Sequence, residues 1–342
     1  MAPNGLVGYI VPNTILTQEY YQEIRKLILS RVHIDSIVSY EKLVFANAVV
    51  ETVTLILSNT KSNKQSKISL QDKNGNYSTK LVKQKTFANN YRHQFSVTGS
   101  VSDNRIKTKI HQVTSLTFQD ICLINQAIAL RANRAEHLFD KKRGADYKPV
   151  LDGREIQRYQ TCWAGKYLKY DINAIHSCKR EDIFTSDEKI FFRRVSASLI
   201  GTLDLKQYYA LNTLVVMNKK EHINYNIRFI LGVFNSKLIN YYYCTFLKST
   251  KTVFSEIQAR QIGQIPFPNL DLSNPSHKAT HNTIVRMVDE LLRLYNEKAE
   301  ALVSPRLHRI EERITYCEDK INQLVYQLYG LTDDEIKIVE GG

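Results

Sequence analysis

The sequence predicts an α/β protein built from three successive segments. Residues 1–60 show the strand, helix, strand, strand order of the last part of a doubly wound sheet. Residues 61–275 contain many short aromatic or β-branched runs between polar turns, which predicts a mixed α/β domain. Residues 276–342 carry apolar residues at helical spacing, which predicts a C-terminal helical hairpin and a short tail.

The first segment begins with a short apolar run at residues 5–11, which Pro12 closes. Such a run is typical of a buried parallel strand. Thr17 is then a candidate N-cap for a helix that ends near Val32. The apolar face predicted for that helix is Tyr21, Ile24 and Ile28.

Two further strands are predicted at residues 34–40 and 49–57, and the second is apolar on both faces, which indicates an interior strand. Three strands and one helix bury too little apolar surface to form a complete core. The segment is therefore interpreted as the second half of a doubly wound sheet whose first half is absent from this chain. A neighbour is expected to cover its open side.

The middle segment begins with the polar stretch 58–80, which predicts a loop or an exposed hairpin with a turn at Asn74-Gly75. A linker is expected near residue 60, followed by short strands and one helical stretch. The strands are predicted at residues 166–170, 189–192 and 213–217, and the helical stretch at 226–246.

The last segment contains two apolar stripes separated by a break at Ser304-Pro305. The second stripe alternates spacings of three and four, as in a coiled coil, and runs from Leu307 to Leu328. Pro305 suits the first turn of this helix and Gly330 its end, and Thr332 with Glu335 predicts a capping box for a last short helix. A hairpin that packs on its own domain is favoured over a partner-binding coiled coil.

Positive charge is concentrated in the middle of the chain. The formal net charge is +13. Residues 60–275 hold 34 Lys and Arg against 17 Asp and Glu, a local excess of +17, whereas both flanking segments are nearly neutral or mildly acidic. An excess of this size favours a polyanionic partner, because neutralised phosphates release condensed counterions.

Several classes of protein are excluded by the sequence. The apolar stretches are far shorter than the roughly 20 residues that span a bilayer, and no secretory signal precedes residue 20. A cytoplasmic protein is therefore expected. The five cysteines are scattered without the paired spacing of a zinc site, and His277 with His281 lacks the intervening glutamate of the zinc-protease motif, so no metal site is predicted.

No catalytic centre is predicted in this chain. A methyltransferase needs a Gly-rich strand-to-helix turn for its cofactor and a polar catalytic loop for the target amine, and neither occurs here. The acidic residues Asp182, Asp187 and Glu188 near Lys189 form too loose a group for a metal-dependent nuclease. The predicted catalytic set is empty.

Basic residues interleaved with aromatics are the candidate DNA-binding set. In residues 151–159, Arg154 and Arg158 lie four positions apart, which on a helical turn would direct both guanidinium groups to one side. Such paired forks suit phosphates or guanine edges. The remaining candidates are Lys166, Arg193, Arg194, Lys248 and Lys251.

These pieces resemble, in their order, the C-terminal part of an adenine-specific DNA methyltransferase of type II restriction-modification systems. Residues 8–13 and 45–52 resemble the last strands of the methyltransferase core, and the middle resembles a TaqI-like specificity, or target recognition, domain. The matching stretches of the middle are 152–159, 211–214, 231–238 and 262–268, and the ending 328–340 is similar to the tail of long fused endonuclease-methyltransferases.

The resemblance implies a role in base flipping. In the family the target adenine is rotated out of the duplex, and an aromatic residue in a Phe-x-x-Ala-x-Val element packs against it. Phe45 occupies that position, with a core phenylalanine as the alternative interpretation. The resemblance also implies S-adenosylmethionine as cofactor of the parent enzyme and none in this chain, since the family's cofactor turn and Asn-Pro-Pro-Tyr loop are missing.

The leading hypothesis is a specificity module that binds double-stranded DNA and docks through residues 1–60 to a methyltransferase N-terminal half. One alternative is a chain that complements a separate polypeptide to form an active split methyltransferase. Another is an adaptor similar to the specificity subunit of a multi-subunit restriction system.

Overall fold

The computed structural model describes the chain apart from a few residues, and it separates into two compact units, Met1–His111 and Gln112–Gly342. The residues not described are Met1, Pro3, Glu41, 46–49, 60–64, Lys73, 98–99, 132–133, 249–255, 301–304 and Gly342, together with the side chain of Val101.

Unit 1 is built on a five-stranded sheet with one helix between its first and second strands and two helices after its last strand. Its elements are β1 (Leu6–Pro12), α1 (Gln22–Arg31), β2 (His33–Tyr40), β3 (Thr52–Ser58), β4 (Gln65–Gln71), β5 (Tyr77–Lys83), α2 (Gln84–Asn89) and α3 (Val101–Val113), the last of which runs two residues into unit 2. The strand order is β1-β3-β2-β4-β5.

β1 corrects the prediction of a buried parallel strand. It pairs antiparallel with β3, and among the described strands this is its one partner. Five of its seven residues are exposed, and the side chains of Leu6, Tyr9 and Ile10 are 69%, 54% and 52% exposed. The apolar run correctly predicted a strand but not its position at the edge of the sheet. An edge strand and an interior strand of the same composition differ only in the strands that lie beside them.

β3 confirms the interior strand that its two apolar faces predicted. It lies between β1 and β2, and Val53, Leu55 and Leu57 are buried in the core of unit 1. β4 and β5 form the hairpin that was one of the two interpretations of the polar stretch, and Gly75 in its turn has a φ of +90°, as an Asn-Gly turn requires.

α1 begins later than predicted, and of its predicted apolar face Tyr21 and Ile28 pack against the core of unit 1 while Ile24 does not. Thr17 does not cap it, because a short 3-10 turn at Glu19–Tyr21 comes first. The helix buries Arg25, whereas Ile24 is 44% exposed. The Arg25 guanidinium donates to the carbonyl oxygens of Ile15 and Gln18 at 2.9 and 2.8 Å, and to that of Arg92. These bonds replace the water that a buried charge loses.

The sheet continues past the boundary that the sequence placed near residue 60. β4 pairs in parallel with β2, so residues 65–83 extend the sheet of the first segment. The compact units divide the chain between His111 and Gln112. The boundary predicted near residue 60 and the boundary between the compact units differ because a polar stretch is typical of a surface hairpin as well as of a linker. The pairing of β4 with β2 is a long-range contact, which the local sequence does not indicate.

Unit 2 contains short strands followed by a helical end. Its first elements are α4 (Phe118–Ile121), β6 (Cys122–Gln126), β7 (Ala129–Leu130), β8 (Leu138–Phe139), β9 (Tyr147–Leu151), β10 (Ile156–Gln157), β11 (Gln160–Thr161), β12 (Tyr167–Lys169), β13 (Ile175–Ser177), α5 (Asp182–Thr185), β14 (Lys189–Arg193), β15 (Gly201–Asp204), β16 (Tyr209–Ala210) and β17 (Leu214–Lys219). The helical end is α6 (Ile227–Phe234), α7 (Lys237–Tyr242), α8 (Ala259–Gly263), α9 (Pro275–Glu300), α10 (Pro305–Leu328) and α11 (Asp333–Val339).

Two four-stranded sheets carry the middle of unit 2, in the orders β16-β9-β12-β8 and β15-β14-β17-β6. Side chains from both sheets meet in one buried cluster that includes Leu151, Leu168, Phe191 and Val216. The predicted strands at 166–170, 189–192 and 213–217 are confirmed as β12, β14 and β17. The predicted helical stretch 226–246 is divided, because Ser236 ends one helix and caps the next.

The helical end follows the sequence closely. α10 begins at Pro305, Gly330 has the left-handed φ of +64° that ends it, and Thr332 with Glu335 forms the capping box of α11. The apolar stripe of α10 is buried from Ile310 to Leu324. Stripes of α9 and α10 meet α6 at Gly232, so the hairpin packs on its own domain as favoured. Within the described residues, every helix is too short or too polar to cross a lipid bilayer.

The contact at Gly232 gives a test of this packing. A Cβ at Gly232 would lie 2.7 Å from Ile284 Cγ2 and 3.0 Å from Val288 Cγ2, and both are methyl groups of stiff β-branched side chains. We expect Gly232→Ala to lower the free energy of unfolding of unit 2 by about 1–3 kcal/mol through overpacking. Urea denaturation followed by circular dichroism measures this change.

Gly144→Ala is the matched control for Gly232→Ala. A Cβ at Gly144 would meet the exposed Asp146 carboxylate, the movable end of a side chain, at 2.8 Å. We expect its unfolding free energy to stay within about 0.5 kcal/mol of the wild-type value. Equal losses in the two variants would contradict the packing of α9 on α6.

Candidate nucleic-acid interface

Two of the stretches that carry the family resemblance, 152–159 and 211–214, meet at one hydrogen-bonded junction. The Gly153 N–H donates to Thr213 Oγ1 at 2.9 Å, and the Thr213 hydroxyl donates to the Asp152 carboxylate. A Cβ at Gly153 would lie 3.1 Å from the Thr213 carbonyl oxygen. A larger residue here would therefore crowd the close approach of the two chains.

The junction fixes a 3-10 turn at Gly153–Glu155. Asp152 and Glu155 form a capping box, and the second Glu155 oxygen accepts the Ala164 N–H at 2.6 Å. Arg134 forms an ion pair with Asp152. Burial of the Asp152 carboxyl acts to raise its pKa, but hydrogen bonds from Thr213 and Arg134 outweigh burial and hold that pKa below its usual value. The turn is thus tied to three other parts of unit 2.

Arg154 lies on this turn with its side chain exposed. Within the described part of the chain, no hydrogen-bond acceptor or carboxylate contacts its guanidinium. A rigid turn that directs a solvent-exposed guanidinium is suited to a phosphate or a guanine edge.

Arg158 does not lie beside Arg154 on a helical turn, which corrects that expectation. The chain passes from the 3-10 turn into the β10–β11 hairpin, and Arg158 is in the hairpin turn. Its guanidinium lies 3.4 Å from a Glu318 carboxylate oxygen on α10. The side chain therefore contacts the helical hairpin of its own unit. Its role in DNA binding remains a prediction.

Arg193 and Arg194 also bind the framework. Arg193 Nε donates to the Ile156 carbonyl oxygen at 2.7 Å. Arg194 donates to the Asn212 carbonyl oxygen at 3.1 Å and to the Glu256 carboxylate at 2.6 Å. Together these bonds tie the end of β14 to the Gly153–Glu155 turn and to the 211–214 stretch.

The predicted lysines have separate positions. Lys166 forms an ion pair with Asp140 in the turn between β8 and β9. Lys248 donates to the Ala197 carbonyl oxygen at 2.9 Å. Lys251 lies outside the described residues.

Phe45 belongs to unit 1, in the connection between β2 and β3, and 47% of it is exposed. This exposure disagrees with a core phenylalanine, the alternative interpretation of the sequence. The rest of its motif, residues 46–49, lies outside the described residues.

The acidic residues near residue 185 make structural contacts. Asp182 pairs with Arg180, and Lys189 forms a buried ion pair at 2.6 Å with Asp204, a partner that the sequence did not single out. No group of three His, Cys, Asp or Glu side chains suited to a metal ion occurs among the described residues.

Sequence reasoning missed two features of unit 2. Arg134 was not singled out, since its ion pair with Asp152 is a contact across 18 residues. The run Lys141-Lys142-Arg143 was also passed over, although three adjacent cations are visible in the sequence. Local charge density was the signal that could have found it.

Residues 148–267 match the family model of the TaqI-like C-terminal specificity domain, and residues 1–123 match that of the N-6 DNA methylase. A protein of Methanocaldococcus jannaschii, named as a proposed type II restriction enzyme and methyltransferase, is 24% identical over 343 residues, covering 95% of this chain and 27% of that protein.

Solved restriction-modification enzymes are similar in structure. The type IIL enzyme MmeI, in complex with DNA, matches with a TM-score of 0.55 and 13% identity over 98% of this chain and 48% of its own. The type IIG endonuclease BpuSI matches with a TM-score of 0.42 and 10% identity over 96% of this chain and 48% of its own. The chain thus spans about a quarter of the M. jannaschii protein and about half of MmeI.

The family matches confirm the resemblance that the sequence predicted. Residues 1–123 are similar to the N-6 DNA methylase family and residues 148–267 to a TaqI-like specificity domain, and the chain is similar to restriction-modification methyltransferases. Its fold is that of MmeI over the shared length. The described structure agrees with the predicted α/β class, with several sheets and a C-terminal helical region.

The hydroxyl of Thr213 offers a test of the junction. Thr213→Val keeps the shape of the side chain but leaves the Gly153 N–H and the Asp152 carboxylate without this partner. We expect the free energy of unfolding of unit 2 to fall by about 1–3 kcal/mol, the cost of unmade hydrogen bonds at a partly buried charged group. Thr213→Ser retains the hydroxyl and should recover most of that loss in urea denaturation. A Ser variant as unstable as the Val variant would argue that the methyl packing, and not the hydroxyl, holds the junction.

Proposed function

We propose that this chain is the sequence-specific, double-stranded DNA-binding part of an N6-adenine DNA methyltransferase or restriction-modification enzyme, and that catalysis requires a half not contained in it. The observation that carries the proposal is the match of residues 148–267 to a TaqI-like specificity domain in which Arg154 stands exposed on a fixed turn. The excess of +17 between residues 60 and 275 supports a polyanionic partner.

Within its described residues, unit 1 has a free sheet edge and exposed apolar side chains, which suit a partner that carries the catalytic half. β1 has β3 as its single partner among the described strands. Leu6, Tyr9 and Ile10 on β1 and Leu27 on α1 are all more than half exposed. A strand with a partner on one edge alone among the described strands, next to exposed apolar side chains, suits addition of a further strand from a methyltransferase N-terminal half, in the same gene product or in a separate chain.

S-adenosylmethionine is assigned to that half and not to the described residues of unit 1. The cofactor needs a Gly-rich strand-to-helix turn. The connection after β1 is instead Asn13–Leu16, a 3-10 turn without glycine. The chain's own contribution is therefore recognition and positioning of the DNA.

Salt-dependent binding tests the DNA-recognition role. We expect the chain to bind a mixed-sequence duplex at low ionic strength and to lose affinity steeply between about 50 and 200 mM salt, since each phosphate contact adds about −0.9 to the slope of log K against log salt. Fluorescence anisotropy of a labelled duplex measures both affinity and slope. Absence of binding at low ionic strength would refute the proposed function.

Arg154 is expected to be the most important of the predicted arginines for DNA binding. We expect Arg154→Gln to raise the Kd by about 5-fold or more, because a guanidinium contact contributes about 1–3 kcal/mol. Arg309→Gln removes an equally exposed charge from α10 and is the control, for which a much smaller change is expected. Equal effects of the two substitutions would remove Arg154 from the interface.

A second candidate function is that of the complementing half of an active split methyltransferase, which the uncovered edge of β1 favours. In this function Phe45 stacks on the extruded adenine. The chain is mixed with a polypeptide that carries the cofactor turn and the Asn-Pro-Pro-Tyr loop, and transfer of labelled methyl groups to DNA is measured. Methyl transfer in the mixture alone supports complementation.

In that mixture we expect Phe45→Ala to reduce methyl transfer by about 5- to 150-fold, because base–aromatic stacking contributes about 1–3 kcal/mol. Phe45→Tyr keeps the ring and should retain most of the activity. Leu43→Ala removes a neighbouring side chain that is 43% exposed and serves as the control. A Leu43 effect as large as that of Phe45 would contradict stacking.

A further inference from the structure

One face of the sheet containing β8, β9 and β12 carries aromatic and basic side chains together. Side chains that pair across antiparallel strands share a face. Tyr167 of β12 pairs with Phe139 of β8, and Lys169 of β12 pairs with Tyr147 of β9. Leu168, between them, is fully buried in the core, so Tyr167 and Lys169 lie on the outer face.

The rings of this outer face take part in two ring pairs, the second with Trp163 from the connection between β11 and β12, which also packs on the buried core. Phe139 and Tyr147 pack edge to face with centroids 5.1 Å apart, and Trp163 packs on Tyr167 in the same way at 5.3 Å. The Trp163 indole N–H donates to the Lys166 carbonyl oxygen at 3.1 Å. All four rings are only partly buried. They form a stiff surface that solvent reaches.

The turn between β8 and β9, residues 140–146, adds positive charge beside these rings. Lys141, Lys142 and Arg143 are consecutive and exposed. The Arg143 guanidinium lies 4.6 Å from the centroid of the Phe139 ring. We call the 140–146 turn together with the outer face of β8, β9 and β12 the basic platform.

The acidic side chains of the basic platform do not cancel this charge. Lys166 pairs with Asp140 at the start of the turn and lowers the pKa of that carboxyl through a hydrogen bond and its charge. Asp146, at the end of the turn, is the other carboxylate. Counting Lys169, the set retains a net charge of +3. The ion pair of Lys166 also ties the turn to the strand that carries the rings.

The ammonium groups of Lys141 and Lys142 differ from most cations of unit 2. Arg158, Arg193 and Arg194 contact protein atoms, as described above. For Lys141 and Lys142, the described residues provide neither a hydrogen-bond acceptor nor a carboxylate within reach. Three adjacent cations repel one another, and a bound anion would relieve this repulsion.

From this arrangement we propose that the basic platform is a second DNA-contacting surface, which binds backbone phosphates of duplex DNA through Lys141, Lys142 and Arg143. The inference rests on the proposed function and extends it to residues outside the predicted set. The 140–146 turn precedes β9, a strand of five residues that spans about 16 Å, and Arg154 lies three residues after its end. One strand thus separates a phosphate-binding turn from a candidate base-reading arginine.

Phosphate contacts position a duplex without reading its sequence. The platform is therefore expected to strengthen binding equally on all sequences. Lysine and arginine on a turn suit this role, because flexible side chains can follow a regular line of charges.

The test compares two triple substitutions with the same change in charge. Lys141→Gln, Lys142→Gln and Arg143→Gln are combined in the platform variant. Lys278→Gln, Arg309→Gln and Lys320→Gln, three exposed positions of α9 and α10, are combined in the control variant. Affinity for a mixed-sequence duplex is measured by anisotropy over a series of salt concentrations, and urea midpoints confirm that both variants fold.

We expect the slope of log K against log salt to become less steep by about 2.7 in the platform variant, three contacts at about 0.9 each, and to change by less than one third of that in the control. Equal slopes in the two variants, with wild-type binding intact, overturn the platform and leave the proposed function standing. If the wild-type chain does not bind duplex DNA, the proposed function fails and the platform fails with it.

Discussion

The arrangement of unit 2 depends on the contact between Asp152, Gly153 and Thr213. It joins two stretches 60 residues apart through two hydrogen bonds, at a point where a Cβ on Gly153 would lie 3.1 Å from the Thr213 carbonyl oxygen. Arg134 neutralises the carboxylate from a third part of the chain, and Arg194 binds the residue before Thr213. Because every branch of this network is a long-range contact, the exposed direction of Arg154 is a property of the folded domain and not of its own turn.

Several other basic side chains of unit 2 also bind its framework. Arg158, Arg193, Arg194 and Lys248 give their donors to carbonyl oxygens or carboxylates of the framework. Such bonds hold short strands together where each strand has few ladder bonds of its own. The charge that remains for a polyanion is on side chains such as Arg154 and those of the 140–146 turn. The net charge therefore indicates a polyanionic partner, while the fold determines which basic residues are available to contact it.

Unit 1 has a different character, because its sheet is well packed on one side and uncovered at one edge. β3 lies between two neighbours and buries Val53, Leu55 and Leu57 on one face, whereas β1 exposes large apolar groups and has one neighbour among the described strands. Arg25 shows the same contrast on α1, where a guanidinium is buried and Ile24 and Leu27 are exposed. Exposed apolar side chains on a helix beside an uncovered strand edge are understandable if another polypeptide segment covers both.

The sequence by itself determined the features that depend on local periodicity and on caps. The spacing of α10, its start at Pro305 and its end at Gly330, the capping box of α11 and the hairpin turn at Gly75 all follow from neighbouring residues, because each is stabilised within a few positions of the chain. Only the tertiary structure decided that β1 is an edge strand, that the first sheet continues through β4 and β5, and that Arg158 contacts α10 in place of standing beside Arg154. These outcomes depend on partners tens to more than a hundred residues away, and composition and spacing carry no record of such partners.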